Sequence, residues 1–158
     1  MSYESNLKVL GSVSADIEFS NGKSLKIEVP NTVLILGRNA IVNALINNTG
    51  AYPNFYVNRM VFGDAGTDGY SPKIVTPNRT GLFGTVRATK SVVAVANPNN
   101  TTQAIFTSVL TYDDANGFDL SEMALVLNNN DYFSMVTFPQ IAKTSSMQIT
   151  WNWSVSMI

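Results

Sequence analysis

The stretch MQITWNWSVSM, residues 147–157, sets Met147, Ile149, Trp151, Trp153, Val155 and Met157 on one parity and Gln148, Thr150, Asn152, Ser154 and Ser156 on the other. A side-chain period of two belongs to a β-strand with one face in a core and the other toward water or a polar partner. Its length is about twice that of a typical strand. It is therefore expected in the centre of a sheet, or running on into a neighbour.

Working outward from it, Tyr132 to Phe138 and the alternating Met123, Leu125 and Leu127 flank the turn Asn128-Asn129-Asn130-Asp131. Ala104, Phe106, Ser108, Leu110 and Tyr112 alternate up to a second turn, Asp113 to Gly117. Thr85 to Ala96 and Phe55 to Phe62 read as further strands, with Asn97-Pro98-Asn99-Asn100 as a turn. Near the start, Val13, Ala15, Ile17 and Phe19 face Leu25, Ile27 and Val29 across Ser20-Asn21-Gly22-Lys23. Asn-Gly favours a type I′ turn, so this is a β-hairpin, ended by Pro30.

Residues 33–48 have a different period. Ala40, Ile41, Ala44 and Leu45 share a helical stripe, and Asn47-Asn48-Thr49-Gly50 supplies a stop. One helix of about three turns is expected, with Val33 to Leu36 open to a short strand that turns into the helix at Gly37. The fold expected is mainly β: an antiparallel β-sandwich with one short α-helix near residues 37–48 and an N-terminal β-hairpin. No repeat or composition break divides residues 1–158. Within that single domain, residues 1–30 form the hairpin, which is a candidate docking extension, and residues 31–158 form the sandwich core.

Composition narrows the chemistry. The 158 residues are 45% hydrophobic but only 13% charged, with net charge -1, against about 25% charged in an average soluble domain. Little repulsion keeps copies apart, and no cationic field collects phosphates, so self-association is favoured over nucleic-acid binding. Cys and His both number 0, which removes disulfides, thiolate nucleophiles, imidazole bases and the usual zinc ligands. The opening Met1-Ser2-Tyr3-Glu4-Ser5 lacks a signal peptide's basic start and apolar core. No apolar run approaches the roughly 20 residues of a membrane helix. A soluble product made in a cytoplasm is expected, with no membrane partner.

The long irregular stretch Asp64–Thr80 is the main candidate for function, since loops beyond about 12–15 residues are usually functional or mobile. Its Asp64-Ala65-Gly66-Thr67-Asp68-Gly69 brushes against a calcium loop, but Gly66 and Val75 stand where oxygen ligands are needed. No phosphate-binding glycine motif is present. Asp64, Asp68, Asp113, Asp114 and Asp119 all fall in expected turns, where Asp serves local backbone bonding. No metal, cofactor or catalytic residue is assigned. Arg59 and Glu122 each interrupt an apolar strand. They are read either as lying on a solvated face or as an ion pair between strands or to a partner. Trp151 and Trp153 are read as core, with sugar stacking as the alternative.

Four segments, in order, resemble tailed-bacteriophage virion proteins, especially the attachment domains of tail-collar fibre proteins. They are Leu36-Gly37-Arg38-Asn39-Ala40-Ile41-Val42-Asn43-Ala44-Leu45; Met60-Val61-Phe62-Gly63-Asp64-Ala65-Gly66-Thr67; Gly117-Phe118-Asp119-Leu120-Ser121-Glu122-Met123-Ala124-Leu125; and Phe138-Pro139-Gln140-Ile141-Ala142-Lys143 before the final strand. The resemblance spans about residues 33–158 and leaves Leu7 to Val29 outside it. It implies a non-enzymatic, β-rich structural protein of the virion, joined to other virion proteins and to copies of itself, with a trimer suggested by analogy. Fibre proteins of this kind continue into a shaft and a receptor-binding tip. A chain that ends at Ile158 is expected instead to be a stand-alone adaptor in a tail, fibre, baseplate or collar.

A capsid decoration protein is the first alternative, and a carbohydrate-binding module a more distant one. The contacts expected at the interface are Asn21 and Gly22 in the hairpin turn, Asp64, Asp68 and Tyr70 in the long loop, and the polar face of the final strand.

Overall fold

The computed structural model describes residues 8–46 and 55–158. The chain runs β1 (Val9–Phe19), β2 (Ser24–Pro30), β3 (Thr32–Val33), α1 (Ile35–Ile46), β4 (Val57–Gly63), β5 (Thr67–Asp68), β6 (Ser71–Pro72), β7 (Val86–Ser91), β8 (Val93–Asn97), β9 (Asn100–Leu110), β10 (Asp119–Leu127), β11 (Tyr132–Ala142) and β12 (Met147–Met157). Two antiparallel five-stranded sheets pack as a sandwich. One has the order β2-β1-β12-β9-β8 and the other β3-β11-β10-β4-β7, while β5 and β6 form a separate small hairpin. The expected fold class is the observed one.

β12 is the middle strand of its sheet, as its length required. It pairs with β1 from Met147↔Phe19 to Met157↔Val9 and with β9 from Ile149↔Leu110 to Ser156↔Gln103. Met147, Ile149, Trp151, Trp153 and Val155 are buried against Met60, Phe62, Met123, Leu125 and Phe138 of the facing sheet. The opposite parity stays half-exposed and bonds sideways. Asn152 accepts from Thr107 Oγ1 at 2.9 Å, Ser154 Oγ lies 2.9 Å from Ser12 Oγ, and Ser156 Oγ accepts from Gln103 at 2.9 Å.

The N-terminal hairpin is part of this core and not an appendage. β1 lies between β2 and β12, and Val13, Ala15 and Ile17 are buried in the central cluster. The register Val13↔Val29, Ala15↔Ile27 and Ile17↔Leu25 keeps the odd residues on one face. Its turn is not type I′, however. Gly22 has φ +83°, but Asn21 does not adopt a positive φ. Gly22 N–H donates to Phe19 O and Phe19 N–H to Lys23 O, both at 2.9 Å. This is a three-residue loop closed by a left-handed glycine.

Two further expectations change. Thr85 to Ala96 is not one strand: at Val92 the chain leaves the second sheet, as β7, and enters the first, as β8. Val92 N–H donates to Asn58 O at 3.2 Å at that corner. The helix also begins earlier than expected and is rotated from the stripe read in the sequence. Ala40 and Ile41 pack on the core, whereas Ala44 is exposed and Leu45 is 81% exposed. The stop at Asn47–Gly50 lies outside the described residues.

Gly37 sets that rotation, because a Cβ on it would overlap the carbonyl of Phe133 on β11. The helix backbone therefore rests directly on the strand, and Leu34 N–H reaches Phe133 O at 3.0 Å. Gly37→Ala is expected to destabilise by about 1–3 kcal/mol through overpacking against a backbone that has nowhere to move. A thermal melt should show a fall of several degrees in Tm. An unchanged Tm would mean that the helix docks less closely.

Candidate functional site: a surface loop locked by a buried carboxylate

The second sheet is buried on both faces. Val61, Ala124, Val126 and Met135 point away from the sandwich core, and Leu34, Val75, Leu82, Phe83 and Tyr132 cover them. The segment from Asp64 to Gly84 is thus a cap on the outer face of this sheet. Apolar contact alone is non-directional; polar bonds fix the cap in one place.

Glu122, on β10, is fully buried. Its Oε2 accepts from Phe83 N–H at 2.6 Å, and its Oε1 accepts from Gly84 N–H at 3.1 Å and Ala65 N–H at 3.3 Å. The neighbouring Ser121 Oγ accepts from Gly66 N–H at 2.9 Å. Gly66 admits this approach, since a Cβ there would overlap the carbonyl of Ser121. One carboxylate therefore ties both ends of the loop to the sheet. A buried carboxylate is costly unless hydrogen-bonded, and here backbone donors take the place of a cation.

Arg59 and Glu122 do not form an ion pair, and Glu122 does not lie on a solvated face. In the β4–β10 register Glu122 faces Gly63 while Arg59 faces Val126, four residues further along. Arg59 is half-buried and bonds to Asn58 Oδ1 (2.8 Å), Leu127 O (3.2 Å) and Asn130 Oδ1 (2.6 Å), closing the β10–β11 turn.

Within the cap, β5 and β6 pair Thr67↔Pro72 and Asp68↔Ser71 around Gly69-Tyr70. Gly69 has φ +59°, as the first central position of a type II′ turn requires. Further bonds pin the segment. Lys73 N–H donates to Gly66 O at 2.8 Å, Thr137 Oγ1 to Lys73 O at 2.6 Å, and Ile35 N–H to Pro77 O at 2.8 Å. The Arg79 guanidinium lies 3.6 Å from the Phe83 ring centroid and donates to Leu82 O at 2.9 Å.

Against this anchorage, Tyr70 is 95% exposed and Ile74 is 86% exposed. The acids of the loop are engaged locally: Asp64 with Arg87 at 2.9 Å and Asp68 with Lys73 at 3.6 Å. Among the described residues no cluster of three or more acids could hold a metal ion. Asn21 and Gly22 are exposed at the tip of the β1–β2 turn, and Asn21 Oδ1 accepts from Lys23 N–H at 3.0 Å. They belong to the first sheet and the loop caps the second, and no hydrogen bond or ion pair among the described residues joins the two.

Trp151 and Trp153 are buried, and Trp151 packs against Phe138 and Phe62 with ring centroids at 5.2 and 5.6 Å. Neither indole offers a face to a sugar. At the other turn, Asp114 bonds to Lys90 (2.8 Å) and to Thr111 N–H (2.7 Å). Burial alone would raise its pKa, but these hydrogen bonds and the Lys90 charge outweigh it and hold the carboxyl below its usual range.

Two residues of weight escape the sequence reading. Ile74 has no alternation around it to mark it as exposed. Lys143 is buried, its Nζ donating to Thr144 O at 3.0 Å and Asn116 Oδ1 at 3.1 Å, so it holds the β9–β10 turn to the end of β11. Burial draws its ammonium pKa below the usual lysine range, against the opposing charges of Asp114 and Asp113.

A groove of about 550 Å³ opens beside β8, lined by Ile41, Tyr56, Ala94, Ala96, Phe106 and Met157 among others. None of the described residues that line it carries a carboxylate, amine or guanidinium. No described helix is long and apolar enough to cross a membrane. No family model, curated protein or solved structure matches the chain.

Proposed function

We propose that this chain is a non-enzymatic structural protein of a bacteriophage virion. It belongs to a tail, fibre, baseplate or collar assembly and docks on a neighbouring virion protein through the capped loop. The observation that carries the docking is the pairing of near-complete exposure at Tyr70 and Ile74 with a loop held at both ends by Glu122. Large apolar side chains on a rigid support are suited to binding because little ordering entropy remains to be lost. Tyrosine at a protruding tip is also among the residues most enriched at binding hot spots. The virion assignment itself is supported by the resemblance of residues 33–158.

The test is to quantify the chain by mass spectrometry in gradient-purified particles from a lysate that makes it. A defined copy number per particle is expected, with tens or fewer fitting a tail or neck. Hundreds of copies would instead favour capsid decoration, and absence from particles would overturn the virion reading.

The docking role has its own test. The double variant Tyr70→Ala, Ile74→Ser is expected to keep its Tm within about 2 °C, because exposed positions contribute little to stability. The same variant should fail to enter particles. Normal incorporation would remove the loop from the interface.

A further inference from the structure

Among the described residues four edges bound the two sheets: β2 and β8 in the first, β3 and β7 in the second. An uncovered edge offers unpaired N–H and C=O groups to any other chain, and folded monomers block such edges with charge, proline or shortness. β2 carries Lys26, Glu28 and Pro30. β7 carries Arg87 and Lys90, and β3 is two residues long. β8, with the sequence Val93-Ala94-Val95-Ala96-Asn97, has neither charge nor proline. Its Val93 and Val95 are 68% and 52% exposed.

We propose that β8 is a self-association edge. Two copies pair β8 to β8, antiparallel across a two-fold axis, and so join their five-stranded sheets into one continuous sheet. The chemistry of the strand selects a second copy as the occupant. Centred on Val95, self-pairing sets Val93 against Asn97 and Ala94 against Ala96, so no charge meets its own like. The whole chain, at net charge -1, adds little repulsion.

The register with β9 places Ala94 and Ala96 beside Phe106 and Ala104, and Val93 and Val95 beside Thr107 and Ile105. Pairing therefore lays the valines of both copies side by side on the outer face. The alternative, β8 onto β2 of another copy, is head-to-tail and would propagate as a fibre. Pro30 and the charges of β2 oppose it, which leaves the closed dimer. A five-residue strand alone buries less than the roughly 1,200 Å² of a standard stable interface. The dimer is accordingly concentration-dependent. The inference stands on edge chemistry and does not depend on the virion reading.

Sedimentation velocity on the full chain tests it. Wild type is expected to pass from 17.2 kDa at low concentration to twice that mass in the high-micromolar range. Val95→Lys and Val95→Glu should each remain monomeric throughout, since like charges then face one another across the axis. Mixed in equal amounts, the two variants should form the dimer again. Circular dichroism of each variant checks that the fold is intact, and Val93→Lys provides an independent substitution on the same edge.

A wild type that stays monomeric overturns the proposal. So does an oligomer of any order that survives in both Val95 variants, or a mixture of the two that fails to associate.

Discussion

Glu122→Ala is expected to release the whole outer cap, from Asp64 to Gly84, and to lower Tm by roughly 10 °C. The substitution leaves three backbone N–H groups without their acceptor, those of Ala65, Phe83 and Gly84. Stranding a buried donor costs about 1–3 kcal/mol, and some of that is recovered as water enters beneath the loosened loop. A net loss on the order of 4 kcal/mol follows, and for a domain of this size each kcal/mol is worth about 2–4 °C.

Glu122→Gln separates bonding from volume. Its single oxygen can replace Oε1 toward Ala65 and Gly84, but its NH₂ then faces the Phe83 N–H, donor against donor. It should therefore rescue little of the loss. Hydrogen exchange at those amides should accelerate in both variants. A Tm within about 2 °C of wild type would show that the carboxylate does not hold the loop.

Trp151→Ala is the second large effect. Its ring lies between Phe62 and Phe138 and is almost wholly buried, and truncating a buried Phe or Trp costs about 3–5 kcal/mol. Set against a typical total stability of about 5–15 kcal/mol, this leaves a marginal fold. Trp151→Phe should retain most of the stability. The indole Nε1 has no hydrogen-bond partner in the core, so the smaller ring loses area but no bond. Chemical denaturation measures both differences. Equal losses for Ala and Phe would mean that the site tolerates no change of shape, contrary to simple cavity formation.

These two residues mark the limits of what the sequence reveals. Trp151 was legible because β12 keeps one wet face, so its period of two survives along its length. β10 was only half legible: Met123, Leu125 and Leu127 alternate, but Ala124 and Val126 are buried too, beneath a cap whose position no local pattern announces. Glu122 stood out as a charge in an apolar strand, and the natural partner to seek was a cation such as Arg59. Its real partners are backbone N–H groups, which no residue letter marks. Val92 hid a change of sheet for a related reason, since valine suits a strand on either side of the corner. The helix is legible from the spacing of Ala40, Ile41, Ala44 and Leu45, but its facing is not. That depends on Gly37 meeting a carbonyl almost a hundred positions later, at Phe133.

Of the residues expected at an interface, the loop member Tyr70 is 95% exposed, on a segment bonded to Glu122 at both ends. Asp64 lies 2.9 Å from Arg87, and Asp68, 3.6 Å from Lys73, keeps its side chain 85% exposed.

The account turns on whether that supported tip is where the chain meets its neighbour. Hydroxyl-radical footprinting read by mass spectrometry compares Tyr70 in the free chain and in purified particles. The account predicts strong labelling when the chain is free and a several-fold drop in the particle. Equal labelling of Tyr70 in the two states would contradict it.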